Sequence, residues 1–186
     1  GVNCTKGMFI EAAIFVDPNK KIAMPKSATL KNDTHYFALV LKKEKIRMEA
    51  IINKPLTASR QSFSRLNLPD SYRYLIELEI KEDYTMGYVN HIGFRAGSCT
   101  PFLFYDLDYE IQTPLKIHPY HLMDFALLKK KSLLDKKKVL NEIINQIKQV
   151  NGEFVPVFHN YTFVNGSRWK GFKELFNLIL NSANED

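Results

Sequence analysis

The sequence predicts an α/β fold, a layer or a partial barrel with parallel strands, and three observations predict it. Apolar runs of strand length stand near both ends, Met8 to Val16 and Glu153 to His159. Segments with helical spacing alternate with strand-like ones, most cleanly at Leu140, Ile143, Ile144 and Ile147, and such alternation lays helices across a parallel sheet. A chain of 186 residues, 45% hydrophobic and 25% charged, has enough apolar material for one domain with its own core, spanning 1–186.

The elements follow in order. Met8 to Val16 is nearly unbroken in its apolar character, as a strand buried on both faces is, and Asp17-Pro18-Asn19 turns the chain away from it. Residues 17 to 33 read as loop, with one short strand at Lys21 to Met24. Thr34 is placed to cap a helix from His35 to Asn53, whose apolar face is Phe37, Val40, Leu41, Ile46, Ala50 and Ile51, and Lys54-Pro55 stops it. A short strand covers Thr57 to Gln61. Pro69-Asp70-Ser71 opens a helix to Leu78, because proline is tolerated in a first turn and Asp70 suits the positive helix end.

Asp83 to Gly87 and Gly93 to Arg95 read as two brief strands. Phe102 to Tyr105 fits either helix or strand, and Leu115 to Asp124 reads as strand interrupted by proline. The helix from Leu133 to Val150 has Gly152 placed to end it. Glu153 to His159 is the second strong strand, with Pro156 marking an edge or an irregular position. A last helix from Arg168 to Asn181 packs Trp169, Phe172, Leu175, Phe176, Ile179 and Leu180. No internal repeat and no low-complexity linker interrupts the series.

Composition narrows the function. The net charge of +6 comes largely from the lysine runs Lys129 to Lys131 and Lys136 to Lys138, which flank a helix. Nucleic-acid binding calls for basic residues gathered with exposed aromatics or a known module, so the expectation is no nucleic-acid partner. Cys4 and Cys99 have no metal-finger spacing, which argues against a disulfide framework or structural zinc and for a reducing compartment. No stretch approaches the ~18 apolar residues of a membrane span, and Gly1 to Lys6 do not read as a signal peptide. The expected location is cytoplasmic, with no membrane partner.

Candidate chemistry lies where strands end. Gly93-Phe94-Arg95-Ala96-Gly97 delivers a planar, permanently charged guanidinium into a turn of small residues, and the two glycines let backbone approach whatever it holds. Taken alone, Arg95 reads as a structural ion pair. Asp124 follows Leu122-Met123, and His159 closes an apolar strand. Strand carboxyl ends gather ligands in α/β folds, and an aspartate that orients an imidazole makes it a good general acid near neutral pH. Separately, Asp124 also reads as a helix cap and His159 as a buried, hydrogen-bonded histidine.

An ordered series of segments supports a more specific reading. It comprises Ser59-Arg60-Gln61, Glu82 to Tyr88, Gly93 to Phe102, Phe104-Tyr105-Asp106-Leu107, Met123-Asp124, Phe158-His159-Asn160 and Arg168-Trp169-Lys170-Gly171. In this order, over residues 52–180, the chain resembles the C-terminal part of a polysaccharide deacetylase (NodB-homology) domain of the bacterial branch. The resemblance implies a deformed (β/α) barrel and metal-dependent removal of acetyl groups from N-acetylated sugars. A zinc-like divalent ion, held by one aspartate and two histidines, polarises the amide and its attacking water while a carboxylate acts as base. By match to the motifs, Arg95 holds that carboxylate, His159 is the general acid and Asp124 tunes it. Tyr105 and Trp169 are the candidate substrate-binding rings, and the implied partner is a carbohydrate.

The early motifs depart from that pattern. The family's aspartate pair belongs upstream of a strand like Met8 to Val16, and Asp17 follows that strand instead. Met24-Pro25 stands where a histidine precedes a proline, and Ser62 follows Arg60-Gln61 where another histidine is usual. A thioether and a hydroxyl are poor ligands for an ion that favours imidazole and carboxylate. His35 and His91 do not sit at ligand spacing. The expectation is a degenerate site with weak or no catalysis, against the alternative that ligands come from another polypeptide or an upstream region. Met24 and Ser62 lie inside the chain and favour the first.

Two further readings stand beside it. One is a non-catalytic carbohydrate-binding or protein-interaction domain using the rings of Tyr105, Tyr109, Tyr120 and Trp169. The other is an acyl hydrolase with Cys99 as nucleophile beside His159. A shortened barrel also leaves an open strand edge, which invites pairing with a second copy.

Overall fold

Burial alternates along the longest strand: Thr113, Leu115 and Ile117 are buried, while Gln112, Pro114 and Lys116 are exposed. That period of two makes Ile111–Ile117 (β4) the organiser of the sheet. The computed structural model describes residues 30–61, 64–164 and 166–182, with side chains from Leu41 onward. The predicted strands at Met8 to Val16 and Lys21 to Met24 lie outside those residues. Against one side of β4 runs Glu82–Asp83 (β2), parallel, with Asp83 opposite Ile117, and beyond it Ala58–Ser59 (β1), also parallel. Against the other side runs Phe102–Asp106 (β3), antiparallel, with an irregularity between Leu103 and Tyr105. The segment left open between helix and strand is therefore a strand.

Past Ile117 the chain keeps its direction. His118 N donates to Asp83 O and Tyr120 N to Met86 O, so the β2 side of the ladder continues. His121 N donates to Val155 O on the opposite side, and Leu122–Met123 (β5) then pairs in parallel with Pro156–Val157 (β6). Sequence reading joined Leu115 to Asp124 into one strand; Pro119 removes a donor at its middle, and two segments result. The carboxyl ends of β1, β2, β5 and β6 consequently meet along one rim. Among the described residues the arrangement is mixed α/β with two small sheets, ordered β1-β2-β4-β3 and β5-β6, and no closed barrel.

Helices cover the sheet. Leu30–Ile52 (α1) begins before the predicted His35 and ends as expected, with Asn53 taking a left-handed φ of 52°. Asp70–Glu77 (α2) buries Tyr72 and Leu75 against Leu115 and Ile117. Asp124–Leu128 (α3) leads to Leu133–Gln149 (α4), whose start is fixed by a reciprocal capping box between Ser132 and Asp135. Leu140, Ile143, Ile144 and Ile147 form its buried stripe, as their spacing predicts. They pack with Leu122, Leu127, Phe154 and with Phe172, Leu175 and Ile179 of Phe172–Ser182 (α5). Lys129 to Lys131 precede α4, and Lys136 to Lys138 lie within it rather than beyond its end.

Two local expectations change. Asn151, at φ 51°, makes the left-handed turn that ends α4, and Gly152 serves another purpose: a Cβ there would fall 2.3 Å from Cys99 Sγ. Gly93 to Arg95 form no strand. Gly93 adopts a φ of 141°, donates to His121 O, and turns the chain so that Arg95 enters the rim.

Candidate functional site

Asp124 and His159 are brought together. Met123 and Val157 are register partners, so the residues that follow them leave the sheet side by side. The Asp124 side chain is fully buried, and three donors converge on it. Phe125 N donates to Oδ1 at 2.8 Å, His159 N to Oδ2 at 2.7 Å, and His159 Nδ1 lies 2.9 Å from both oxygens. Two backbone N–H groups and one imidazole leave the carboxylate well satisfied in a place where an unpaired charge would be costly. Asp124 is the first residue of α3 rather than its cap, a position that Met123 takes without a side-chain hydrogen bond; its Oδ1 accepts from Phe125 N while both oxygens hold the imidazole. A carboxylate at Nδ1 fixes the ring with its proton on that nitrogen, so proton exchange with a ligand falls to Nε2.

Aromatic rings surround the imidazole. Immediately after His159 the chain makes a 3-10 turn, Asn160–Phe163, locked by Thr162 Oγ1 donating to His159 O at 2.7 Å. This turn lays Tyr161 flat on His159, ring centres 5.0 Å apart and planes within 21°. Phe125 meets the same imidazole edge-on at 5.3 Å. Trp169 closes the group, 5.7 Å from Tyr161 and 5.8 Å from Phe125. Tyr161 and Phe125 were not singled out from sequence, although the run His159-Asn160-Tyr161-Thr162-Phe163 places a ring two residues beyond the histidine. Tyr105 stands elsewhere, half exposed on the β3–β4 hairpin, and Tyr120 is a fully buried core ring.

Among the described residues Arg95 bonds backbone rather than a charged partner. Its Nη1 donates to two backbone carbonyls, Ser64 O at 3.3 Å and Gly87 O at 3.1 Å, and no carboxylate among the described residues lies within ion-pair distance. Ser64 follows β1 and Gly87 follows β2, so the guanidinium ties two loops at the same rim that carries Asp124 and His159. Gly87 is glycine because a Cβ would meet the Tyr120 ring at 2.5 Å, and the Tyr120 hydroxyl in turn bonds Ser64 Oγ. Nothing lies within 4 Å of a Cβ built on Gly93 or Gly97, so these glycines supply backbone geometry and not close approach.

A buried polar cluster beneath the rim escaped sequence reading. His118 Nδ1 lies 2.8 Å from Glu153 Oε2, and Tyr84 stacks on the imidazole at 4.5 Å. Beside it Asp83 accepts from Thr85 N and Thr85 Oγ1, and burial pushes its carboxyl up to about 6 against those hydrogen bonds. The only hint in the sequence is a pair of histidines, His118 and His121, inside an apolar strand-like run. Among the described residues no three His, Cys, Asp or Glu side chains converge to hold a metal. Met24 and Ser62 lie outside them, and neither side chain is a good donor for a zinc-like ion. Among the described residues the donor set does not fit that ion. A cavity of about 470 Å³ lined by His91, Phe94, Lys129 and Ile143 contains none of Arg95, Asp124 and His159.

Cys99 is a core residue. Burial raises its thiol and disfavours the thiolate that a nucleophile needs, and it packs with Leu122 and Ile147. No described helix is long and apolar enough to cross a membrane. Comparison with family models, with curated proteins and with solved structures finds no match.

Proposed function

We propose that this chain is a polysaccharide deacetylase-like domain that engages N-acetylated sugars and hydrolyses them weakly or not at all. The observation that carries this reading is the Asp124–His159 pair at the strand carboxyl ends, ringed by Tyr161, Phe125 and Trp169. Aromatic faces suit the apolar side of a pyranose, and an imidazole held at Nδ1 suits proton delivery to a departing amine. The weak-activity clause rests on the donor set, which lacks the imidazoles of the related enzymes. Metal content and acetate release from chitin and peptidoglycan oligomers test it. Substoichiometric metal and little acetate are expected; bound metal at one per chain with robust turnover would sink the degenerate reading.

A second reading, a non-catalytic binding module, is favoured by the β3–β4 hairpin, where Tyr105, Leu107 and Tyr109 are exposed. Trp169 fluorescence separates the two. Chitin oligomers bound at the dyad should change its emission, whereas a protein-binding hairpin should leave it unmoved. Pairing of two copies along the open β3 edge belongs to the same proposal and is read by sedimentation.

A further inference from the structure

The cavity of about 470 Å³ lies between loop 90–94, the end of α3 and one face of α4, and its lining sorts by polarity. Its size falls within the roughly 300–1,000 Å³ of small-molecule sites. Val139, Glu142 and Ile143 line it from α4, at spacings of three and four that set them on one helix face. Ile143 is buried and Val139 half-buried, so the helix side is chiefly aliphatic. Phe94 supplies a second apolar wall and is held there: its ring centre lies 5.0 Å from that of His121, and Gly93 N donates to His121 O at 2.9 Å. Lys129 and Lys130 follow α3 and are exposed, and Lys130 N donates to Leu127 O at 3.1 Å, which fixes the turn that carries both. Lysine stems run along apolar surface while their ammonium groups stay at its water boundary. Two ammonium groups against the one carboxylate of Glu142 make this lining cationic. The charge of Lys130 is also felt by Asp135, so Lys129 carries the larger share of it at the cavity.

We propose that this cavity binds a small amphiphilic carboxylate, a medium-length acyl chain whose apolar body lies against Phe94, Val139 and Ile143 and whose carboxylate meets Lys129 and Lys130. A sugar suits such a lining poorly, because hydroxyl groups set against Val139 and Ile143 leave water without gaining a hydrogen bond. An alkyl chain gains by the same transfer, and the lysines select its charged end. Arg95, Asp124 and His159 are not part of the lining, so this site and the carbohydrate reading stand or fall separately.

Amide NMR titrations with octanoate, octanol and octylammonium test this, because the three probes share a chain and differ in charge. Octanoate is expected to shift the amides of Phe94, Lys129, Val139 and Ile143. It should bind about fivefold more tightly than octanol, the upper end of what a solvent-exposed ion pair supplies, and octylammonium should bind more weakly than either. Replacing both lysines, Lys129→Gln with Lys130→Gln, should bring octanoate down to the affinity of octanol and leave octanol unchanged. Val139→Trp should fill the cavity and abolish binding of both. In the unsubstituted chain, rising ionic strength should shrink the preference for octanoate, a readout that needs no variant to fold. Equal affinity for octanoate and octanol overturns the proposal, as does a preference that survives loss of both lysines. Octylammonium binding as tightly as octanoate also overturns it. So do shifts gathered on the exposed β3–β4 hairpin instead of the cavity, and so does no binding of octanoate.

Discussion

Three buried aspartates meet three different environments, and the contrast shows how the site is tuned. Asp106 sits under Arg73, whose Nε and Nη2 reach its two oxygens at 2.6 Å each, and this fork holds its carboxyl below the ordinary value. Asp124 is matched by backbone and imidazole donors. Asp83 has hydrogen bonds but loses more to burial, and its carboxyl rises from 3.8 to about 6. Between those values the folded chain keeps a proton that the unfolded chain has released. Stability therefore falls as pH rises through this window, by about 3 kcal/mol in total, and stays at the lower level above it. Asp83→Asn should remove that slope. Urea unfolding from about pH 4 to pH 7 checks it, since parallel curves for the two proteins would show that Asp83 is not the group responsible. For the dyad, the neutral His159 ring is expected to carry its proton on Nδ1, visible in imidazole nitrogen NMR shifts. Asp124→Asn should cost about 2–3 kcal/mol by turning an amide N–H toward existing donors, and should release that tautomer preference.

Elements whose causes are local were legible in the sequence, and the prediction attached to each is correspondingly simple. The α4 stripe needs only a period of 3.6 and was read from it, whereas the capping box of Ser132 and Asp135, though equally local, was shown by the structure. Ser132→Ala is expected to cost about 1 kcal/mol, read as a lower urea midpoint with an unchanged slope. Asp124 and His159 were legible for a related reason, since each follows an apolar strand. The role of Gly152 was not, because its cause is Cys99, some fifty residues away. Gly152→Ala should destabilise by about 1–3 kcal/mol, the usual cost of overpacking. Cys99→Ala in the same chain should return part of that loss, because the sulfur is the nearest atom the new methyl meets. A double-mutant cycle with no coupling would exclude this contact as the reason for glycine.

At the scale of the whole molecule, what remained hidden was register. Nothing local to Asp83, His118 or Glu153 announces that β2, the β4–β5 junction and the segment before β6 will bury them as neighbours; that follows from Asp83 lying opposite Ile117 and from His121 bonding Val155. The same register divides the apolar interior. Tyr72, Leu75, Leu115 and Ile117 form one cluster under α2, while Leu140, Ile144, Ile147 and Phe172 form another among α4, α5 and β5. Between them stand Tyr84, Tyr120, Met123 and Val157, a third cluster beneath the rim. Ile117 and Ile147 are both fully buried and share no cluster, so the loss of one methylene at each should be felt independently. Ile117→Val and Ile147→Val are each expected to cost about 0.5–1.5 kcal/mol. The double variant should lose their sum to within about 0.5 kcal/mol. Coupling well beyond that margin in urea unfolding would mean that the middle cluster transmits packing strain from one side of the sheet to the other. The rim could then not be treated as a platform resting on two separate cores, and substitutions beneath either end would be expected to move both Arg95 and His159.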